Sequence, residues 1–283
     1  MNVYKQIQSI KEAPEVMMGE IRLRQAIPTY GVEQISPFIL LHHFNFTIAP
    51  GEDRFYVAPH PHRGFSPVTF MFEGFVEHND SLGNKMVIGN NEVQWINAGR
   101  GIIHSERADK DFVNKGGRYQ GIQLWINTPA AHKMDPPSYQ PITQKEIVVM
   151  GESGVELRLI SGTYDAIQGP ANSEVITAMI TMEENSSQNL NLPQINHSLI
   201  YILQGKLRIN ETEIGSANEL VVFEKGPGSI SIKALEKTKL LLMSGQPIDE
   251  PLVTHGPFVM NTQTEILHAM RDYQDGKMGF LYA

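Results

Sequence analysis

The chain has 283 residues, of which 41% are hydrophobic and 19% are charged, a composition typical of globular proteins and not of disordered ones. Its net charge of −8 at pH 7 argues against a general binder of nucleic-acid backbone, which needs a basic face. It contains no cysteine, which excludes disulfides, thiolate metal sites and cysteine nucleophiles.

The chain also lacks the sequence patterns of a membrane or secreted protein. The longest apolar runs, such as LVVF and LLLM, are far too short to cross a bilayer. The opening stretch MNVYKQIQSIKEAPE has neither the apolar core nor the cleavage site of a secretory signal. We therefore expect a cytoplasmic monomer that binds neither membrane nor nucleic acid directly.

Most of the chain predicts short strands rich in Val, Ile, Thr and aromatic residues, many of them bounded by Gly, Pro, Asn or Asp. In chain order these segments read PVTFMFEG, KMVIG, VQWINAG, QGIQLWINT, EIVVM, VELRLISG, VITAMITM, SLIYILQGKLRI, LVVFEKG, SISIKA and TKLLLMSG. Many short strands at this spacing favour an all-β sandwich or barrel.

Two segments carry metal-ligand residues at the spacing i, i+2. APHPHRGFS at 58–66 contains His60 and His62, and GRGIIHSER at 99–107 contains His104 and Glu106. Residues i and i+2 of a strand point to the same face, so each pair would present two ligands side by side. Two such strands paired in a barrel would converge on one metal ion.

Three neutral imidazoles and one carboxylate suit Fe(II), Mn, Co, Ni, Cu or Zn. Zinc would more often be closed and tetrahedral with this set, whereas a ferrous ion with open positions can take up dioxygen or a chelating substrate. The alternative is that the metal is purely structural and only stabilises the barrel.

Aromatic residues beside the ligand strands predict a cavity for a flat aromatic ligand, although half of such residues in strands are plain core. They are Phe44, Phe46, Phe70 and Phe72. His42 and His43 are either donors that support the ligands or surface histidines. Arg63 and Arg100 either orient an anionic substrate or form ion pairs.

An internal repeat predicts two related β domains in tandem. FMFEG at 70–74 matches YILQG at 201–205, and EVQWINAGRG at 92–101 matches ELVVFEKGPG at 219–228. The proline-rich stretch at 136–146 is the expected linker, so the domains would span residues 1–140 and 147–283.

The second copy of the repeat keeps the glycines and loses the ligand residues. The matches place Asn191 and Pro193 at the positions of the first pair, and Ser231 and Lys233 at those of the second. A pattern kept for structure would survive in both copies. We therefore expect a metal in the N-terminal domain and none in the C-terminal domain.

One helix is predicted near the end of the chain. Thr262 and Glu265 form a capping box, and Gly276 ends the helix. Apolar residues lie at helical spacing between them: Ile266, Met270 and Tyr273.

Five strings closely resemble the pirin family of the cupin superfamily. They are HPHRGF at 60–65, HNDSLGNK at 78–85, VQWINAGRGIIHSE at 93–106, QLWIN at 123–127 and GPFVMNT at 256–262. The resemblance runs over nearly the whole chain and implies a bicupin, with two jelly-roll β-barrel domains and a single metal in the N-terminal one. The metal is usually iron in this family, and its ligands fall on His60, His62, His104 and Glu106.

The resemblance also implies an activity, because some pirins are quercetin 2,3-dioxygenases. The expected reaction is ring cleavage of a flavonol or related aromatic enol by dioxygen, with Glu106 as a general base for the substrate hydroxyl. Other pirins are described as cofactors of transcription factors. The alternative is therefore an iron-dependent regulatory or binding protein that acts through protein partners without turnover.

The chain departs from the family pattern beside the ligands. Ser66 and Pro67 follow HPHRGF, Phe75 replaces an acidic residue, and His42 stands where the family often has aspartate. These departures remove no ligand, but they change the expected surroundings of the cavity.

Overall fold

The computed structural model describes residues 3–53 and 55–281. Strands dominate these residues, and the α-helices found among them are α1, Lys110–Lys115, and α2, Gln263–Gln274. A short 3-10 turn occupies Ala130–His132. The predicted all-β class with a short C-terminal helix is confirmed. None of the helices in the described ranges is long and apolar enough to span a membrane.

The strands before residue 152 are β1 Ile7–Glu12, β2 Glu15–Met18, β3 Ile21–Ile27, β4 Phe38–Ile48, β5 Tyr56–His62, β6 Phe65–Glu73, β7 Val76–Asp80, β8 Lys85–Ile88, β9 Glu92–Asn97, β10 Ile102–Ala108, β11 Gly117–Asn127, β12 Ser138–Ile142 and β13 Val148–Met150. The strands after it are β14 Val155–Ser161, β15 Thr163–Tyr164, β16 Ile167–Gln168, β17 Ile176–Met182, β18 Ser187–Leu190, β19 His197–Gln204, β20 Lys206–Ile209, β21 Glu213–Ser216, β22 Glu219–Phe223, β23 Ile230–Ala234, β24 Thr238–Gly245, β25 Val253–His255 and β26 Phe258–Met260.

The chain forms two compact units. The first unit comprises residues 16–23, 37–143 and 248–281, and the second comprises residues 3–15, 24–36 and 144–247. Each unit therefore combines segments from both sides of the proline-rich stretch, whereas the domains expected from the sequence are the continuous stretches 1–140 and 147–283. In the second unit, for example, β1 pairs with β22 in antiparallel register.

In the first unit, a seven-stranded sheet has the order β12-β9-β6-β11-β4-β3-β2 and a four-stranded sheet the order β5-β10-β7-β8. An apolar core draws residues from both sheets, such as Phe44 and Met71 of the larger and Val76 and Ala108 of the smaller. The strands alternate between this core and the other face of each sheet, as the period of two requires.

The second unit repeats this plan. Its seven-stranded sheet has the order β1-β22-β19-β24-β17-β14-β13 and its four-stranded sheet the order β18-β23-β20-β21. Its core likewise takes residues from both sheets, including Leu157, Leu242 and Ile232. The internal repeat predicted from the sequence thus corresponds to two units with the same strand arrangement.

Helix α2 begins at the predicted capping box. The Thr262 hydroxyl accepts a hydrogen bond from the Glu265 backbone N–H, and the Glu265 carboxylate accepts one from the Thr262 N–H. The helix buries Ile266 and Ala269, which pack in a small core with Ile103 of β10. Because Ile103 precedes His104, the C-terminal segment supports a predicted ligand strand directly.

Candidate metal centre

Strands β5 and β10 lie side by side and bring three histidines together. The antiparallel register places His104 directly opposite His60 and Ile102 opposite His62. The ring centroids are 4.4 Å apart for His60 and His104, 4.9 Å for His62 and His104, and 4.7 Å for His60 and His62. One ligand nitrogen from each ring lies within 4.8 Å of the other two.

The prolines of β5 fit its place in the sheet. Pro59 and Pro61 cannot donate to a ladder, and β5 is an edge strand, where proline is tolerated. The β5–β10 register shifts between His104 and Glu106, so that Glu106 pairs with Val57. In this irregular stretch His60 Nδ1 lies 2.8 Å from the Ala58 carbonyl oxygen. The oxygen can only accept, so Nδ1 carries the proton and Nε2 keeps its lone pair.

The three histidines fit a divalent metal ion. His60 Nε2 lies 3.0 Å from His62 Nε2, and both ring nitrogens of His104, which is fully buried, have no hydrogen-bond partner. Burial lowers the pKa of His62 and His104 well below the ordinary value, and the neighbouring imidazoles lower it further. Both rings are therefore neutral at pH 7, which is the form that binds metal.

Glu106 lies beside this group and is held by protein donors. Its carboxylate accepts hydrogen bonds from Thr69 Oγ1 at 3.2 Å, from Gln123 Nε2 at 3.1 Å and from Gln94 Nε2. It lines the same cavity as His60 and His62, but its oxygens are not in the group whose ligand atoms all lie within 4.8 Å of one another. The structure thus brings together three of the four expected ligands and places the fourth next to them.

A cavity of about 330 Å³ opens beside the histidines. Its walls are mostly apolar and are formed by Met18, Leu40, His42, Phe44, Val57, His60, His62, Glu106, Gln123, Trp125, Gly256 and Pro257. Cavities of this size and character bind small organic ligands.

Of the four phenylalanines expected at the cavity, only Phe44 lines it. Phe46 stacks on Tyr119, with ring centroids 5.2 Å apart, and packs against the core. Phe70 is buried on the face of β6 opposite Met71, which belongs to the core between the sheets, and Phe72 is buried at an irregularity of the β6–β11 ladder.

The polar residues beside the ligand strands have different roles. His42 lines the cavity, and burial lowers its pKa to about 4. His43, on the opposite face of β4, is also buried, so neither histidine lies on the surface. Arg63 Nη1 pairs with Asp272 at 3.0 Å, and its Nε donates to the Arg100 carbonyl oxygen at 2.6 Å. Arg63 therefore forms an ion pair and does not face the cavity.

The residues that hold Glu106 are not among those predicted from the sequence. Gln94 and Gln123 are buried glutamines in the strand strings VQWIN and QLWIN, and a glutamine inside an apolar strand is the pattern that would have found them. Gln123 Oε1 also accepts a hydrogen bond from Trp125 Nε1 at 3.3 Å. The Trp125 ring lies edge-on to His62, with centroids 5.3 Å apart.

Among its described residues, the second unit has no comparable set of ligands. Strand β18 pairs with β23 as β5 pairs with β10, and Ser231 lies opposite Asn189 there. The ladder therefore makes Asn189 the counterpart of His60, two residues before the Asn191 given by the sequence matches. Across residues 3–53 and 55–281, the three histidines of the first unit form the one group of three or more His, Asp or Glu residues spaced to hold a metal.

Comparisons with known proteins agree with this architecture. The family model described as Pirin matches residues 20–126, and the one described as Pirin C-terminal cupin domain matches residues 177–279. Pirin-1 of Arabidopsis thaliana is 37% identical over 268 residues, which cover 91% of this chain and 88% of that protein.

Solved structures show the same fold. A crystal structure of quercetin 2,3-dioxygenase from Acinetobacter baumannii superposes with a TM-score of 0.92 and 31% identity, over 99% of this chain and 100% of that one. A bacterial pirin from Escherichia coli, solved in complex with nickel(II), has a TM-score of 0.67 at 19% identity, over 85% of this chain and 99% of that one, a likeness of fold. The two jelly-roll units are thus cupin domains, and the chain belongs to the pirin family.

Proposed function

We propose that the protein is a metal-dependent dioxygenase that opens the heterocycle of a flavonol or a related aromatic enol, with iron(II) as its metal. The observation that carries this proposal is a group of three mutually close histidines, two of them neutral by burial, of which His60 and His62 line a mostly apolar cavity of about 330 Å³. The similarity to a protein named quercetin 2,3-dioxygenase, at 31% identity over nearly the whole chain, supports it.

His60, His62 and His104 would hold the ion, with Glu106 as the expected fourth ligand. When bound, a ferrous ion in such a set acidifies a chelating hydroxyl and provides open positions for substrate and dioxygen. The three donors to Glu106 leave its carboxylate little freedom to turn. It is thereby positioned to accept the proton of a substrate hydroxyl at the cavity wall.

The rest of the cavity suits a flat aromatic substrate. Phe44, Leu40 and Trp125 provide apolar contact surface, and His42 and Gln123 provide polar contacts on neighbouring strands, since they are ladder partners. Apolar walls also exclude water from the reacting groups, which strengthens the electrostatic interactions there.

The test is oxygen-dependent loss of quercetin absorbance by the iron-reconstituted protein. We expect turnover by the wild type and by His132→Ala, whose side chain is 63% exposed, and none by His60→Ala or His104→Ala. Because His60 is only half-buried, its replacement puts folding at less risk than that of His104. Metal content, measured by elemental analysis on the same samples, should fall in both ligand variants.

A fully iron-loaded wild type that turns over neither quercetin nor related enols would overturn the dioxygenase assignment. The favoured function would then be that of an iron-dependent regulatory or binding protein without turnover. The cytoplasmic location and the monomeric state stay predictions from the sequence, and sedimentation at micromolar concentration would test the latter.

A further inference from the structure

Within the metal centre, His104 has a buried ring nitrogen that would remain without a hydrogen-bond partner after the other one has bound a metal. Both of its ring nitrogens lack a hydrogen-bond partner, and the side chain is fully buried. One nitrogen suffices to hold a metal ion. In a neutral imidazole the other nitrogen then carries a proton, and ligand histidines nearly always donate that proton to an acceptor.

An acceptor of the right kind lies on the neighbouring strand. In the β10–β7 ladder Asp80 is opposite His104, and His78 is opposite Glu106. The rings of His78 and His104 have centroids 5.5 Å apart, and His78 is also fully buried. His78 Nε2 donates to Asp80 Oδ2 at 2.9 Å. Its Nδ1 has no hydrogen-bond partner.

The turn after β7 fixes the direction of this hydrogen bond. Asp80 accepts from the backbone N–H groups of Leu82 and Asn84 at 2.9 and 3.1 Å, and from Asn84 Nδ2 at 2.8 Å. Both carboxylate oxygens of Asp80 therefore face N–H donors and act as acceptors, so His78 carries its proton on Nε2. Its Nδ1 is therefore a lone-pair acceptor.

Donor and acceptor are thus matched: an N–H on His104 and a lone pair on His78, both buried and both unpaired. A third unpaired group lies next to them. The ring of Tyr139 stacks on His78, with centroids 4.1 Å apart and planes 9° apart, and its hydroxyl is buried without a partner. Three unpaired polar groups on neighbouring rings could together satisfy one buried water molecule, which needs two to four polar partners.

We propose that His78 is a positioning residue of the metal centre, which accepts the N–H of His104 through one ordered water molecule shared with the Tyr139 hydroxyl. The hydrogen-bonded series Asp80–His78–water–His104 fixes the ring orientation of His104 and makes it a more basic ligand. This inference rests on the metal centre proposed above, and it involves no catalytic step.

The test compares two isosteric variants, His78→Leu and His78→Asn. Asparagine keeps an oxygen acceptor close to the position of Nδ1, whereas leucine removes it at nearly the same volume. We expect His78→Leu to weaken Co(II) binding, measured by chelator competition, by about 10- to 100-fold. It should also shift the visible absorption of the bound Co(II), while His78→Asn should stay close to wild type in both. Thermal unfolding of the metal-free proteins identifies any loss of fold.

The outcomes separate this inference from the proposed function. If the wild type binds Co(II) and both variants bind it equally, whether at wild-type strength or equally weakened, His78 has only a packing role and the inference is wrong. If the wild type binds no metal, both proposals fail. A crystal structure of the zinc-loaded wild type should show the water molecule within hydrogen-bond distance of His104, His78 and Tyr139.

Discussion

At the scale of single residues, the site contrasts two kinds of buried polar group. His104 offers two ring nitrogens that the protein leaves unpaired, whereas Glu106 has both carboxylate oxygens engaged by Thr69, Gln94 and Gln123. An unpaired buried nitrogen is costly unless a ligand satisfies it. A carboxylate held from several sides keeps one orientation, which a metal ligand or a general base requires.

We therefore expect Gln123→Leu to lower the kcat/KM of the metal-loaded enzyme by roughly 10- to 100-fold. The substitution removes the donor to Glu106 Oε2 and the acceptor of Trp125 Nε1 while keeping the side chain apolar and similar in size. Steady-state kinetics with parallel metal analysis would measure the effect. The exposed Gln274→Leu serves as control, and equal kinetics for the two variants would contradict the role of Gln123.

The buried His42 predicts an acid-sensitive fold. Its pKa is about 4 in the folded protein, against an ordinary value of 6.5, because burial disfavours the charged ring. As the pH falls from 6.5 to 4, the unfolded chain takes up the proton and the folded chain does not. The free energy of unfolding should therefore decrease through this window, by up to about 3 kcal/mol from this residue.

His42→Leu should remove that contribution. The test is denaturant unfolding of the metal-free wild type and variant at pH 7, 5.5 and 4.5. As the pH falls, the free energy of unfolding should decrease more for the wild type than for the variant. The exposed His255→Leu should follow the wild-type curve. If the free energy of unfolding changed equally with pH in the wild type and in His42→Leu, His42 would be protonated as readily in the folded state as in the unfolded one.

At the scale of elements, one buried lysine ties three segments of the first unit together. Lys133 Nζ donates to the carbonyl oxygens of Gly64 and Val259 at 2.6 and 3.2 Å, and to Asn127 Oδ1 at 2.6 Å. These acceptors follow β5, lie within β26 and end β11. At Gly64, where φ is +86°, a Cβ atom would lie 2.0 Å from the Val259 oxygen, so only glycine permits the close approach.

Lys133→Met should destabilise the protein by about 3 kcal/mol, because it leaves several buried acceptors without a donor. The measurement is urea unfolding, with the exposed Lys145→Met as control. If Lys133→Met lowers the free energy of unfolding no more than the control does, the three acceptors have found other donors.

The ligand pairs show which features of the site strand alternation can predict. The i, i+2 spacing places His60 with His62 correctly, because alternation is a local property of any strand. The same rule cannot place the Glu106 carboxylate relative to the histidine nitrogens, because the three side chains that hold this carboxylate lie on other strands. Likewise, alternation cannot tell which of Phe44 and Phe70 faces the cavity, because that depends on which face of each strand the other sheet covers.

At the scale of the whole molecule, the two cupin units share a plan but not a site. We expect one equivalent of metal per chain, because Asn189 and Ser231 occupy the positions of His60 and His104 in the second unit. Elemental analysis of the intact wild type would measure this ratio, and His104→Ala should bring it close to zero. Two equivalents in the wild type would contradict the assignment.

The sequence pattern does not predict how the chain divides into units. Repeats and a proline-rich stretch predict continuous domains, whereas β1 pairs with β22 and residues 248–281 belong with the first unit. Pairings between segments more than two hundred residues apart leave no periodic trace in the sequence. For the same reason an isolated stretch such as 147–283 would lack β1 and carry a segment of the other unit, so metal stoichiometry is best measured on the whole chain.

The assignment of residues 248–281 to the first unit has a consequence for synthesis. A ribosome that has translated the chain through residue 247 has already produced all three histidines. Gly256 and Pro257, which complete the cavity wall, and Ile266 and Met278, which pack on Ile103, are still to come. The site is therefore complete only when residues 248–281 have left the exit tunnel and docked.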